Sequence, residues 1–131
     1  MKTKSLKQQI ELRPATIKDF KFCYNLRNED EVVKYCKRNR KLKREEYLGE
    51  FKEHLSEYKI IQDKDNLIGY LRISKENEIS IAIVPEERNK GIGKTLLSKL
   101  KGTAIIMMDN KSSLYAFTNA GFKLRGFYLE K

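Results

Sequence analysis

The stretch that decides the fold is residues 79–97, ISIAIVPEERNKGIGKTLL. It opens with a β-branched apolar run at residues 79–84, which is typical of a buried strand. A polar connection follows, and Gly91 and Gly93 lead into a segment at residues 94–100 whose leucines have helical spacing. A glycine turn between a strand and a helix start presents free backbone N–H groups and the positive end of the helix dipole. The stretch therefore predicts an anion site, typically for a phosphate.

The chain as a whole is short and basic. Its 131 residues include 28 Lys and Arg against 18 Asp and Glu, which gives a formal net charge of +10. Such a field attracts nucleic acid, nucleotide cofactors and acidic substrates, without choosing among them. The length predicts one domain, at residues 10–131, preceded by a mobile tail at residues 1–9.

Several classes of protein and site are not expected. No apolar run is long enough to cross a bilayer. The N-terminal MKTKSLKQQI also lacks the apolar core of a secretory signal. A cytoplasmic location without membrane contact is the resulting prediction. Two separated cysteines and one histidine do not make a zinc-binding set, so no metal is expected.

Hydrophobic periodicity predicts the elements around the deciding stretch. Strands are expected at residues 10–13, 58–62, 67–73, 79–84, 103–108 and 122–129, and helices at residues 16–26, 31–36, 44–57, 94–100 and 111–119. Thr16 and Asp19 have the spacing of a capping box at the first helix. The order indicates an α+β fold, with a mixed sheet that carries helices on its faces.

Two familiar phosphate-binding patterns fail on this stretch. GIGKT resembles the end of a P-loop, but that pattern needs glycine at position 88, where the chain has Arg88. The dinucleotide pattern needs a third glycine at position 96, where the chain has Leu96. Neither a nucleotide hydrolase nor a dinucleotide-binding enzyme is therefore expected.

The pattern that fits is Arg-x-x-Gly-x-Gly, formed by Arg88, Gly91 and Gly93. Asn110 follows the next predicted strand, and a short helix then leads to the Gly-Phe pair at residues 121–122. With these motifs, and with IELRPAT at residues 10–16, nearly the whole chain resembles the GNAT superfamily of acetyl-CoA-dependent N-acetyltransferases. The resemblance implies α-β-α layers around a mixed, largely antiparallel sheet of about six or seven strands. It also implies a parallel, splayed pair of strands at the coenzyme A site.

The resemblance further implies acetyl-CoA as co-substrate. Backbone amides of residues 88–94 would surround the pyrophosphate, because glycines let the backbone come close. The pantetheine arm would pair with the free edge of the strand at residues 81–84. The cofactor-binding residues implied are Ala82, Ile83, Val84, Arg88, Asn89, Lys90, Gly91, Ile92, Gly93, Lys94, Thr95, Asn110 and Phe117.

In this family an amine attacks the thioester directly, which implies a base, an oxyanion donor and an acid. Glu78 is the candidate base, with an ordinary exposed glutamate as the alternative, and the Val84 N–H is the candidate oxyanion donor. The family's acid position holds Phe117, which has no proton to donate. Tyr115 could serve only if a distorted turn moved it into the site. Water, or no acid at all, are the alternatives.

The acceptor side begins at Arg27 and Asn28, which with Val32 and Val33 resemble a substrate-side pattern of some family members. The basic run at residues 37–44 favours an anionic acceptor, such as a nucleotide sugar, over a polycation. The expected function is acetyl transfer to the primary amine of a small molecule or protein. The alternatives are a catalytically weak coenzyme A-binding protein and a nucleic-acid-binding module, for which no recognised motif is present. Monomer and homodimer both stay open.

Overall fold

The structure is a computed structural model that describes residues 9–131. Residues 1–8 of the predicted tail lie outside the described residues, and the Gln9 N–H donates to the Asp63 carboxylate at 3.3 Å. Four strands form one sheet in the order β1-β2-β3-β4. They span Ile10–Pro14 (β1), Tyr58–Asp63 (β2), Asn66–Ile73 (β3) and Ile79–Ile83 (β4).

Each pair of neighbouring strands is antiparallel. Register pairs such as Ile60 with Tyr70, and Tyr70 with Ala82, place side chains of three strands on the same face. The polar residues between β2 and β3 make the predicted hairpin turn, and a register shift beside Ile61 bends this hairpin.

Helices cover both faces of the sheet. They span Phe20–Arg27 (α1), Asp30–Lys34 (α2), Arg44–Glu53 (α3), Ile92–Leu97 (α4) and Lys111–Asn119 (α5). On one face, α1 and α3 pack an aromatic cluster against the sheet, which includes Phe20, Tyr47, Phe51, Tyr58 and Tyr70. On the other face, α4 and α5 pack against an aliphatic cluster, which includes Ile61, Leu71, Ile79, Leu97 and Phe117. The α-β-α layering predicted from the sequence is therefore present.

The chain enters the first helical layer through the predicted capping box. The Thr16 hydroxyl accepts from the Lys18 N–H, and the Asp19 carboxylate accepts from the Thr16 N–H at 2.8 Å. The same carboxylate takes two hydrogen bonds from the Arg13 guanidinium, at 2.8 and 2.9 Å. These bonds hold the pKa of Asp19 below its ordinary value despite its burial. Asp19 therefore joins β1 to the start of α1.

Some predicted helix boundaries shift. The helix expected at residues 44–57 ends at Glu53, and a separate 3₁₀ turn, Leu55–Glu57, follows. The helix expected at residues 94–100 lies earlier, at Ile92–Leu97, while the last predicted helix has the expected bounds. No helix among residues 9–131 is long and apolar enough to span a membrane.

Two of the predicted strands are not formed. Residues 103–108 make a single parallel bridge, between Thr103 and Glu78, and residues 122–129 join no sheet. Both segments have the apolar composition of a strand, but a strand also needs a neighbouring edge to pair with. Apolar side chains consequently remain exposed there, including Met108 at 96%, Phe127 at 90% and Leu129 at 89%. The sheet in the described part of the chain is therefore an antiparallel sheet of four strands.

Candidate active site

The central feature of the site is a fork, the place where β4 and residues 103–108 are paired at one end only. β4 and residues 103–108 start side by side, because the Ile79 N–H donates to the Thr103 carbonyl at 2.7 Å and the Thr103 N–H donates to the Asn77 carbonyl at 3.0 Å. Gly102 permits this approach, since a Cβ there would lie only 2.4 Å from the Asn77 oxygen. Within residues 9–131, the bridge at Thr103 is the only pairing between the two segments. The edge of β4 beyond the bridge is therefore open.

The open edge carries the amides of Ile81 and Ile83. The Val84 N–H donates to the Ile68 carbonyl at 2.9 Å, whereas the Ile79 N–H points the other way, to Thr103. Backbone groups alternate between the two edges of a strand in an antiparallel ladder. Ile81 and Ile83 therefore face the fork, and Val84 faces β3.

This geometry corrects two sequence-based assignments. The Val84 amide, expected to be the oxyanion donor, is committed to Ile68. Ala82 lies two residues before Val84, so its backbone groups face the same edge of β4, towards β3. Its side chain is buried in the aromatic cluster. Of residues 82–84, only Ile83 directs its N–H towards the fork. The sequence indicated an open edge but not which residues of β4 direct their N–H groups towards it. The register with β3 sets that choice.

The glycine loop lies where β4 ends. Asn89 (φ 63°) and Gly91 (φ 81°) have left-handed backbone conformations, and α4 begins directly afterwards at Ile92. The Thr95 N–H makes the first helical bond, to the Gly91 carbonyl at 3.0 Å. The N–H groups of Ile92, Gly93 and Lys94 precede that bond and have no acceptor within the helix. They are the donors that an anion at this loop would meet, and the Lys94 and Thr95 side chains are exposed beside them.

Arg88 does not contribute its charge to the loop. Its Nε donates to the Ile83 carbonyl at 2.9 Å, and its guanidinium forms an ion pair with Glu29, which precedes α2. Partial burial alone would raise the pKa of Glu29, but the hydrogen bonds from Arg88 and from the Glu31 N–H outweigh it and hold that pKa low. Lys90 pairs locally with Glu87 at 3.2 Å. The backbone of the loop, more than these side chains, therefore defines the anion site.

Three residues considered for the site, Asn110, Tyr115 and Phe117, lie in α5 or cap its N-terminus. The Asn110 side chain caps this helix by accepting from the Ser113 N–H at 3.2 Å. Phe117 is 4% exposed and packs edge-to-face on Phe122, with ring centroids 5.1 Å apart. Tyr115 is 71% exposed. Phe117 is thus a core residue rather than part of the cleft lining, and Tyr115 points into solvent.

The two residues expected to contact the acceptor instead hold a loop of the chain. Buried Arg27 donates to the carbonyls of Arg38 and Arg40 at 2.9 and 3.3 Å. Asn28 pairs with both backbone groups of Leu42, donating at 2.9 Å and accepting at 2.8 Å. These two side chains fix the backbone of the basic run against α1.

The basic run is itself partly neutralised. Arg38 makes a two-pronged ion pair with Glu50, and Arg40 makes one with Glu46. The Arg40 guanidinium lowers the pKa of Glu46 to about 2. The ε-amino group of Lys37 lies 5.0 Å from the centroid of the Tyr128 ring. The run is therefore less available to an external phosphate than its sequence indicates.

Glu78, the candidate base, lies at the closed end of the fork. Its N–H donates to the Ser74 hydroxyl at 3.1 Å, and it forms the bridge to Thr103. Ile83 is five residues further along β4, about 16 Å away at the rise of an extended strand. Glu78 can therefore reach a thioester held near Ile83 only through water. In the described part of the chain, no group of three or more His, Cys, Asp or Glu side chains could hold a metal ion.

Most of the chain matches the model of a known protein family. The profile of the Acetyltransferase (GNAT) family covers residues 20–130. The chain belongs to the GNAT family of acetyltransferases. Comparison with the curated proteins finds no match.

Solved structures of GNAT proteins have the same fold. Spermidine N-acetyltransferase from Vibrio cholerae, in complex with coenzyme A and spermine, has 22% identity and a TM-score of 0.78, covering 94% of this chain and 86% of its own. A GNAT acetyltransferase from Bacillus anthracis has 17% identity and a TM-score of 0.77, covering 93% of this chain and 85% of its own. A phosphinothricin acetyltransferase from Sinorhizobium meliloti, in complex with acetyl-CoA, has 26% identity and a TM-score of 0.70, covering 89% of this chain and 76% of its own.

In this GNAT chain, sequence reasoning missed the contact between Glu29 and Arg88. The two residues are 59 positions apart, and no local pattern relates them. The only available signal was an acidic residue following the Leu-Arg-Asn sequence at the end of α1.

Proposed function

We propose that this GNAT chain transfers an acetyl group from acetyl-CoA to a primary amine. The observation that carries the proposal is the fork, in which the free amides of Ile81 and Ile83 run towards the glycine loop. A pantetheine arm is a strand-like ligand with amide groups, so an open strand edge suits it. A pyrophosphate suits the adjoining N–H donors of α4.

The residues present fit this cofactor. The N–H groups of Ile92, Gly93 and Lys94 would hold the pyrophosphate, and the exposed Lys94 side chain would add charge. Gly91 leaves room for it, because a Cβ there would meet no atom within 4 Å. Ile81 would pair with the pantetheine arm, and Ile83 would lie near the thioester. When bound, acetyl-CoA supplies the activated acyl group.

The chain's own groups then assist a direct transfer. The neutral amine forms the C–N bond as the C–S bond breaks, and the thiolate leaves with its electron pair. The Ile83 N–H is the proposed donor to the developing oxyanion. The ammonium proton leaves through water towards Glu78. A thiol with a pKa near 8.5 leaves readily as thiolate, so the reaction does not need Tyr115 as an acid.

The proposed acceptor is a primary amine. The similar proteins from Vibrio cholerae and Sinorhizobium meliloti are named for spermidine and phosphinothricin, respectively. The net charge of +10 favours an anionic acceptor for this chain.

We further propose a single domain at residues 10–131, located in the cytoplasm. Residues 103–108 and 122–129 would add two strands to the sheet when pairing partners are available, which would give six strands.

Binding of acetyl-CoA, followed by calorimetry and thermal denaturation, tests the proposal. We expect saturable binding and an unfolding temperature that rises with ligand concentration. Gly91→Glu should weaken binding, because it adds negative charge at the loop and strains a left-handed backbone position. Gly49→Glu, on the exposed face of α3, adds the same charge elsewhere and is the matched control. No binding to the unmodified chain at millimolar acetyl-CoA would refute the proposal.

A second candidate function is a coenzyme A-binding protein with little turnover. It is favoured by the burial of Phe117 and the exposure of Tyr115, which leave no tyrosine of α5 in the cleft. Turnover on a panel of amines, measured as release of free thiol, separates the two. Binding without turnover on any amine of the panel would favour this second candidate. A nucleic-acid-binding role is the weaker alternative, because acidic residues of α3 pair with the basic run.

A further inference from the structure

An ion pair joins the glycine loop to the segment that precedes α2. Arg88, the first residue of the loop motif, donates through Nε to the Ile83 carbonyl at 2.9 Å, and its guanidinium contacts the Glu29 carboxylate. Glu29 uses its other oxygen to accept from the Glu31 N–H at 3.1 Å, at the start of α2. One chain of contacts therefore runs from the end of β4, through Arg88, to α2.

The ion pair between Arg88 and Glu29 is partly shielded from solvent. The Arg88 and Glu29 side chains are 28% and 25% exposed, so solvent screens their charges less than on an open surface. Arg88 itself has an extended backbone (φ −75°, ψ 158°), and the left-handed Asn89 follows it. The direction in which the chain leaves Arg88 therefore sets where the loop amides lie.

Two other polar contacts of this segment are local. The Lys90 ammonium pairs with Glu87 three residues away, and the Arg88 N–H donates to the Pro85 carbonyl at 3.3 Å. Neither contact ties the loop to another layer of the fold. The Arg88–Glu29 pair spans 59 positions of sequence and does so.

We infer that Glu29 is a positioning residue for the cofactor loop and acts through Arg88. This inference rests on the proposed function. Glu29 holds the guanidinium against the Ile83 carbonyl, and so it fixes the start of the loop relative to the open edge of β4. Glu29 does not contact the cofactor. Because it acts through the loop, removal of its carboxylate should nevertheless weaken cofactor binding.

The same ion pair accounts for the arginine of the motif. An arginine directed at the pyrophosphate would need no carboxylate partner, and a carboxylate beside it would reduce its attraction for an anion. In this chain the guanidinium instead satisfies the last carbonyl on the open edge.

Calorimetric titration with coenzyme A tests the inference on Glu29→Gln, Arg88→Gln and the double variant. Each single variant should raise the dissociation constant about tenfold, as expected for loss of a charged hydrogen bond. The double variant should bind no more weakly than Arg88→Gln alone, because both changes break one contact. Glu29→Asp should recover part of the affinity. Glu31→Gln, on the exposed side of α2, removes the same charge and should bind as the unmodified chain does.

The urea concentration at the midpoint of unfolding is measured for each variant in parallel. The titrations are run at a temperature at which every variant is folded. A purely structural role would lower the midpoint of Glu29→Gln and leave its dissociation constant unchanged, which would overturn the inference. Additive losses in the double variant would also overturn it. A rise in the KM for the amine alone would indicate that Glu29 contacts the acceptor instead. Failure of the unmodified chain to bind coenzyme A would refute the proposed function rather than this inference.

Discussion

Replacing Phe117 with tyrosine tests whether α5 can supply an acid. The sequence position is the family's acid position, yet the ring lies in the aliphatic cluster and is 4% exposed. A phenol oxygen added there would enter the core rather than the fork. We therefore expect Phe117→Tyr to lower stability without raising turnover.

The magnitude follows from the site of the new hydroxyl. Burying a hydroxyl without a hydrogen-bond partner costs about 1–3 kcal/mol. Extra volume in a packed core adds a cost of similar size, and local shifts relieve part of both. A net loss of about 2 kcal/mol corresponds to a decrease of about 8 °C in the unfolding temperature of a domain of this size.

Urea denaturation and turnover, followed as release of free thiol, are measured on the same preparations of Phe117→Tyr and the unmodified chain. Tyr115→Phe is the matched control, because it removes a hydroxyl from the exposed face of the same helix. It should change stability by less than about 0.5 kcal/mol and leave turnover within about twofold. If Phe117→Tyr kept full stability and raised turnover tenfold, the ring would face the cleft and the reasoning would be refuted.

Three further changes probe the support of the site. Asn28→Asp should cost about 2 kcal/mol in urea denaturation, because a carboxylate cannot donate to the Leu42 carbonyl and is left facing it. Asp19→Asn should lower the free energy of unfolding at pH 7, and this loss should shrink as pH falls below the ordinary Asp pKa of 3.8. The Arg13 guanidinium holds the pKa of Asp19 below its ordinary value of 3.8, so its contribution is lost as pH falls through the lower, folded pKa. Gly102→Ala should speed amide hydrogen exchange at the closed end of the fork, because its Cβ would lie 2.4 Å from a backbone oxygen.

Each of these changes has a contrary outcome, and two of them have a matched control. Asn25→Asp makes the same substitution on the exposed face of α1, and equal losses at both sites would contradict the role given to Asn28. A difference between Asp19→Asn and the unmodified chain that stayed constant as pH fell well below 3.8 would argue against the ion pair. Gly49→Ala lies in α3 with open space around it and should stabilise by about 0.5–1 kcal/mol. Unchanged exchange in Gly102→Ala would show that the fork does not need this close approach.

Local sequence signals predicted most of the elements. Thr16 and Asp19 form the expected capping box, and the helix at Lys111–Asn119 has its predicted bounds. These features depend on residues within a few positions of one another, and a single sequence contains that information. The glycine loop was predictable for the same reason.

Features that depend on distant pairing were not predictable in this way. Residues 103–108 have the composition of a strand, but β4 diverges from them after Thr103. Whether Ile83 or Val84 faces the fork depends on the register with β3, since a shift by one residue exchanges the two edges. Arg27 and Asn28 carry the chemistry of substrate contacts, yet they meet the backbone of the basic run. Only the folded chain brings those partners together.

The open edge of β4 has a second consequence, for the behaviour of the protein in concentrated solution. An unpaired strand edge is a template for another chain, and Ile81 and Ile83 present such an edge in a protein that also exposes apolar residues such as Phe127 and Leu129. On the proposed function, a bound pantetheine arm covers this edge as well as delivering the acyl group. On that proposal the cofactor would also protect the protein from self-association, and solubility would be linked to the supply of acetyl-CoA.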